Sequence, residues 1–366
     1  MKKSLMIILL TSIFLHVNTF GDEIDRHLDD YEFNEINSVI NPEEAKNKRI
    51  DIKYLAKKII TGQFDFEEIL DSVKQNFFGE FKENMAHIRN ILLFIILSAI
   101  IKNLSESFKT QATSEIAFYV SYIVIVLDFM SVFKVLLSTS ENFLRTILDT
   151  LQSSLPLVLS LTTMSGCFYA NNIFSPVIFL FADFIILVIN FLLPLIFMFS
   201  VIEIINNMTG KNLIANFASL IKSFIDWFLK IIASAFMGVL AFQRLAAPLL
   251  QNVTVKTTKF VVNMIPIVGE VFSGAVDSVI AWGSVIKNGV ALALVAAIFF
   301  LCSGLLIKLV IFVLIYKFLA AIIQPITDER IVKCTEALSD ACILLLSCCF
   351  TAVIIFIFAL MIFVSI

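Results

Sequence analysis

From about residue 88 onward the chain is a succession of long apolar runs, with charged residues only at intervals. A run of about twenty apolar residues matches the thickness of a bilayer core when it is helical, at 1.5 Å per residue. Only 16% of the chain is charged, against about 25% in a soluble domain, and residues 21–90 hold a large share of those charges. The pattern predicts an all-α integral membrane protein. Its core is a polytopic bundle of about six to eight transmembrane helices, preceded by a short extracytoplasmic N-terminal segment. A net charge of −3, with no basic patch interleaved with aromatics, gives no expectation of nucleic-acid binding.

The first 20 residues have the form of a signal peptide. Lys2 and Lys3 precede an apolar run from Leu5 to Leu15 that is too short for an ordinary span. Cleaved near Asn18–Gly21 or kept as an anchor, it sends the following residues out of the cytoplasm. Residues 21–87 form that exported segment. Residues 22–35 are acidic and are expected to be irregular, and a basic stretch follows (Lys46, Lys48, Arg49, Lys53, Lys57, Lys58). Asp65 and Glu68 then make a capping box. The helix it opens lines up Ile69, Val73, Phe77, Phe81 and Met85 on one face. Such a helix either lies on the outer membrane surface or bundle, or docks an extracytoplasmic partner.

Residues 88–366 are read as the transmembrane bundle. Apolar runs fall at about 88–107, 116–137, 147–167 (interrupted by Pro156), 173–205 (with paired Asn at each end), 217–243, 289–325 and 341–364. The 173–205 run is longer than the bilayer core and must tilt, kink at Pro194 or pass the interface. The 289–325 run is either two short spans broken near Ser303-Gly304 or one very long helix. Lys102 and Lys109 place the 102–115 loop in the cytoplasm by the positive-inside rule.

Residues 254–290 differ from everything around them. They are too polar for an ordinary span and too apolar for a loop, and Pro266 cuts their helical pattern. After Pro266, Ser273, Asp277, Ser284 and Asn288 fall near one helical face, with Lys287 beside them. This is either an interfacial helix with a solvated face or a re-entrant, pore-lining element. Asp128, Asp183, Glu203, Lys308 and Lys317 interrupt the spans. Each is expected to face another polar group, a cavity or the interface, since a charge facing lipid costs a few kcal/mol. Asp183 is the most interior, read as half of a structural ion pair or as a proton or ion relay.

The six cysteines lie in or beside apolar spans, with no CxxC pair and no zinc-ligand spacing. They are read as small buried side chains. The three histidines are scattered, and no HExxH, P-loop, GxGxxG or GxSxG motif occurs. Neither catalysis nor a cofactor or metal is expected.

Two stretches carry a family likeness. One runs Thr254-Val255-Lys256-Thr257-Thr258-Lys259-Phe260, then Ile265-Pro266-Ile267-Val268-Gly269 and Ile286-Lys287-Asn288. The other runs Tyr316-Lys317-Phe318-Leu319-Ala320-Ala321-Ile322-Ile323-Gln324-Pro325, then Asp328-Glu329-Arg330. In these, and in the order of its parts, the chain resembles the stage III sporulation protein AE family of endospore-forming Firmicutes. The resemblance implies a component of the complex assembled between mother cell and forespore. It would sit in the mother-cell membrane facing the forespore. Its partners would be a secretion-type ATPase and ring-forming proteins of the same operon, and a forespore membrane protein. That assembly is expected to act as a channel or feeding tube. Within it the chain is either a permease-like core or a non-conducting platform. An independent secondary transporter is the third reading. Ser273, Asp277, Ser284, Lys287 and Asn288, with Gln324 and Pro325, are the candidate pore- or partner-facing residues.

Overall fold

The computed structural model describes residue 28 and residues 33–40, 51–63, 66–107, 111–164, 168–209, 213–263 and 269–365. The signal-peptide residues and Asp65 of the capping box lie outside these. The described residues form helices: α1 (Asn34–Ile40), α2 (Ile52–Ile60), α3 (Phe66–Ser107), α4 (Gln111–Met164), α5 (Phe168–Thr209), α6 (Ala215–Asn263), α7 (Gly269–Ile323) and α8 (Glu329–Ser365). Five stretches are long and apolar enough to cross a membrane: Phe118–Thr163, Leu180–Met208, Ala215–Gln243, Gly283–Ile323 and Glu329–Met361. The helical membrane fold stands on these.

Several runs that the sequence divides are joined. The amphipathic stretch and the first apolar run are one helix, α3. Pro156 lies inside α4 without ending it, so the 116–137 and 147–167 runs share one axis. α7 passes through Ser303-Gly304 unbroken as a single very long helix. Ser303 lies on the buried side there, its hydroxyl donating to the Phe300 carbonyl at 2.8 Å. With 54 residues, α4 is about 81 Å long, well beyond a bilayer core of about 30 Å. The expected break at Pro266 lies in residues outside the described set, between the end of α6 and the start of α7.

The helices α4 to α8 alternate in direction. Tyr122 near the start of α4 donates its hydroxyl proton to the carbonyl of Ile204 near the end of α5, at 2.8 Å. Asn207 donates to the Lys333 carbonyl near the start of α8 at 3.2 Å. The Arg330 guanidinium lies 3.6 Å from the Phe118 ring centroid. One end of the bundle thus gathers the start of α4, the end of α5 and the start of α8. The short connections to α6 and from α7 lie there too. Asn206 secures the first by accepting from Ile214 N–H at 3.1 Å. Asp328 secures the second as the N-cap of α8, accepting from Arg330 N–H at 3.0 Å.

α8 occupies the middle, packed against α4, α5, α6 and α7. Many of its enclosed positions are small, with Ala337, Ala341, Cys342, Cys348, Cys349, Ala352 and Ala359 buried among larger ones such as Leu338, Leu345 and Phe356. Small side chains let helix backbones approach in lipid, where dispersion and hydrogen bonding hold helices together. The outer rim is apolar, with Leu180, Leu187 and Phe191 of α5 and Leu220, Trp227 and Phe242 of α6 exposed, as lipid-facing positions should be.

Of the acidic stretch, only residues 28 and 33–35 are described; Leu28 and Phe33 are buried with Ile36 and Ile40 of α1. α1 packs on α4 and α7, and α2 packs on α7. Asp51 caps α2 by accepting from Lys53 N–H at 3.0 Å. Gly62, at φ 70°, turns the chain out of it.

Tyr122→Phe deletes one buried hydrogen bond, that to the Ile204 carbonyl. It should destabilise the bundle by about 1 kcal/mol, read as a fall of a few degrees in the melting temperature of the detergent-purified protein. Tyr119→Phe, one helical turn away, should change little.

Candidate functional site

The polar side chains of the spans divide into tied and untied sets. Lys222 of α6 and Asp340 of α8 form an ion pair at 2.6 Å, and Glu203 of α5 is close enough to feel both. Three helices thus meet on one charged cluster, with the Lys222 ammonium 6.0 Å from the Phe199 ring. Lys308 of α7 pairs with Glu80 of α3 at 3.8 Å. Lys308 is therefore a strut between α3 and α7. Lys317 is exposed at the outer face of α7.

Other polar atoms have no hydrogen-bond partner in the protein although they are buried: Asp183 Oδ1, Asn190 Oδ1, Gln243 Oε1, Asn288 Oδ1 and the Tyr316 hydroxyl. Gln152 of α4 bonds the Asp183 carboxyl group, so Asp183 meets an amide rather than the cation of the expected ion pair. Asp128 is half-buried on α4, with Tyr316 of α7 in its electrostatic surroundings. The Tyr316 ring meets Phe129 edge-on at 5.6 Å. An orphaned polar atom inside a bundle costs about 1–3 kcal/mol unless water or a ligand reaches it. These atoms occupy α5, α6 and α7 at several depths, within an interior that is otherwise apolar.

The candidate residues on the polar segment separate in the same way. Ser273 and Asp277 lie on helical backbone near the start of α7, and their side chains are outside the described set. Ser284 and Asn288 follow on the same helix, each half-buried. Lys287 is only 4% exposed. Cys302 lies beside Cys349, and Ser339 donates to the Val313 carbonyl at 3.4 Å. Carried onward, that antiparallel register brings Lys287 level with the last turn of α8. The carbonyl end of a helix favours a cation, which gives this buried lysine a structural reason to be there. Gln324 and Pro325 are exposed in the turn between α7 and α8, at the end of the bundle remote from Asn288. They form a separate surface and are not part of the interior set.

The five described cysteines are free and buried, as small core residues; Cys167 lies outside the described set. Among the described residues no group of three His, Cys, Asp or Glu side chains could hold a metal ion. Sequence reasoning missed the Lys222–Asp340 pair and the Arg330–Phe118 contact. The signal for the first was a basic and an acidic residue, each set within an apolar run. For the second it was Arg330, which the family likeness quotes but whose partner lies over two hundred residues away.

Comparison with known proteins bears on the whole bundle. The family model described as Stage III sporulation protein AE matches residues 50–366. The protein named Stage III sporulation protein AE of Bacillus subtilis (strain 168) is 28% identical over 282 residues, covering 76% of this chain and 71% of its own length. No solved structure matches the chain.

The charged cluster makes a direct prediction. Lys222→Met leaves Asp340 without its cation, and Asp340→Leu leaves the lysine. Each single change should lower the yield of folded, membrane-extracted protein. The double change should recover part of it, with a coupling of about 1 kcal/mol by thermal melting.

Proposed function

The chain belongs to the stage III sporulation protein AE family, with the role in endospore formation that this implies, and on that premise we propose that it is a permease-like core. It serves the channel complex between mother cell and forespore. The observation that carries this reading is the set of orphaned polar atoms inside the bundle, among them Asp183 Oδ1, Asn190 Oδ1, Gln243 Oε1 and Asn288 Oδ1. A passive scaffold gains nothing from such atoms, whereas a path for water or small solutes satisfies them in transit. The partners in this reading are a secretion-type ATPase and ring-forming proteins of the same operon, with a protein of the forespore membrane. No residue is assigned a catalytic role, since what the interior offers is a passage.

The orientation follows from the charges. By the positive-inside rule, Lys102 and Lys109 of the 102–115 stretch put the end of the bundle with the start of α4 in the cytoplasm of the mother cell. α1 and α2 then lie on the side facing the forespore. The apolar run of α3, about residues 88–107, is the candidate for a sixth crossing in this reading.

A platform that conducts nothing is the competing reading, and it makes a different forecast. The purified protein in liposomes should pass small solutes, and Asp183→Leu should reduce that flux about tenfold with the protein still folded. In sporulating cells Asp277→Ala should lower the yield of heat-resistant spores while the complex still assembles. Absence of flux, together with full sporulation of Asp277→Ala, would leave the platform as the better account.

A further inference from the structure

α4 carries a charged face at the depth where the rest of the bundle is most apolar. That depth is set by α8, in which no residue after Asp340 is charged. Residues 341–364 make about 36 Å of helix, enough to cross the bilayer core. Cys349 lies near the middle of this run, and its thiol hydrogen-bonds with Ser140 of α4. Ser140 is therefore at mid-depth, and Glu141 is the next residue. The contacts between α4 and α5 agree. Phe133 stacks on Phe197 and Gln152 bonds Asp183, so the part of α4 between Phe133 and Gln152 runs beside the part of α5 between Asp183 and Phe197.

At this depth two sides of the bundle differ. Phe350 of α8, with Leu187 and Phe191 of α5, is exposed, as a lipid-facing surface requires. α4 instead exposes Lys134, Ser138, Arg145 and Asp149, with Glu141 among them. These five recur every three or four residues and share one helical face, turned away from the buried Phe133, Leu136, Ser140, Leu144 and Ile147. Arg145 donates to Glu141 at 2.9 Å, yet their side chains are still 68% and 46% exposed. Charges at membrane depth are strongly disfavoured against hydrocarbon and are met by protein or water. This face therefore needs a polar neighbour.

The charges themselves identify the neighbour. Along the face their signs alternate, from Lys134 to Glu141 to Arg145 to Asp149, and they sum to zero. Two copies of one chain lie parallel in a membrane, and a two-fold axis along the membrane normal sets the same face of each against the other. Arg145 of each copy then meets Glu141 of the other, one helical turn away, and the small Ser138 lets the helices approach. A face of a single sign would repel its own copy. We propose that this face of α4 is a self-association interface, through which the protein forms a homodimer in the membrane. The proposal is independent of conduction and holds equally for a permease and for a platform.

The full-length protein in membranes tests it. A disulfide needs Cβ atoms about 4 Å apart, so mild oxidation of S138C should give a covalent dimer. L187C, exposed at the same depth on α5, should stay monomeric. Monomer from both, equal dimer from both, or a bond from S138C to a chain of different mass overturns the proposal. Charge reversal gives a second measurement. Glu141→Arg and Arg145→Glu each leave the centre of the face with one sign, so each variant should co-purify a differently tagged copy of itself about tenfold less than the native chain does. Expressed together, the two variants should co-purify with one another at the native level. That recovery cannot come from pairing within one helix, because neither chain regains its own pair. Native self-association of either variant, or no recovery in the mixture, overturns the interface. Where a reversed chain fails to accumulate, the S138C bond decides.

Discussion

Everything in this bundle depends on how closely its neighbours can approach α8. In water, burying large apolar side chains drives helices together. In lipid that drive is absent, and close contact has to come from shape. α8 meets this constraint with alanine and cysteine at many of its enclosed positions, between larger ones such as Leu338, Leu345 and Phe356. Phe350, Phe358 and Met361 lie on its exposed side. Its start is fixed twice over, by the Arg330 guanidinium on Phe118 and by the Asn207 bond to the Lys333 carbonyl. With those contacts made, the levels of α4, α5 and α7 follow from helix geometry alone. The same geometry puts the orphaned polar atoms at successive depths.

The bundle therefore combines two kinds of packing that do not usually coincide. Around α8 it is dry and close, and its charges are tied in pairs such as Lys222 with Asp340. On α5, α6 and the early part of α7 it carries amides and a carboxylate that the protein leaves partly unsatisfied. The first kind gives a rigid frame, and the second is the feature on which the permease-like proposal rests.

Much of this was legible from the residues. Apolar run length located the helices, because the match between helix rise and bilayer thickness is strict. Charges such as Lys308 and Glu203 had to be accounted for, and they were. Pairing was not legible. Lys222 and Asp340 lie 118 positions apart, and only the fold brings them together. Pro156 misled because its cost to a helix is real but smaller than the cost of breaking the helix in lipid. The fold separates the candidate residues, with Asn288 half-buried on α7 and Gln324 and Pro325 in the exposed turn at the opposite end, a separation that spacing along the chain does not show. The glycines of the polar segment allow close backbone approach, but only the fold shows that Ile60 rests on Gly289.

The central position of α8 also has a consequence in time. A chain enters the membrane in the order in which it is made, so α4, α5, α6 and α7 are in place before the helix they all pack against. Until α8 arrives, the faces of α4, α5, α6 and α7 that pack against it lack their partner. Assembly is therefore a late, nearly all-or-none event. A ribosome that stops between Ile323 and Glu329 leaves a protein with most of its helices but with no stable architecture, suited to rapid removal by proteolysis rather than to partial function.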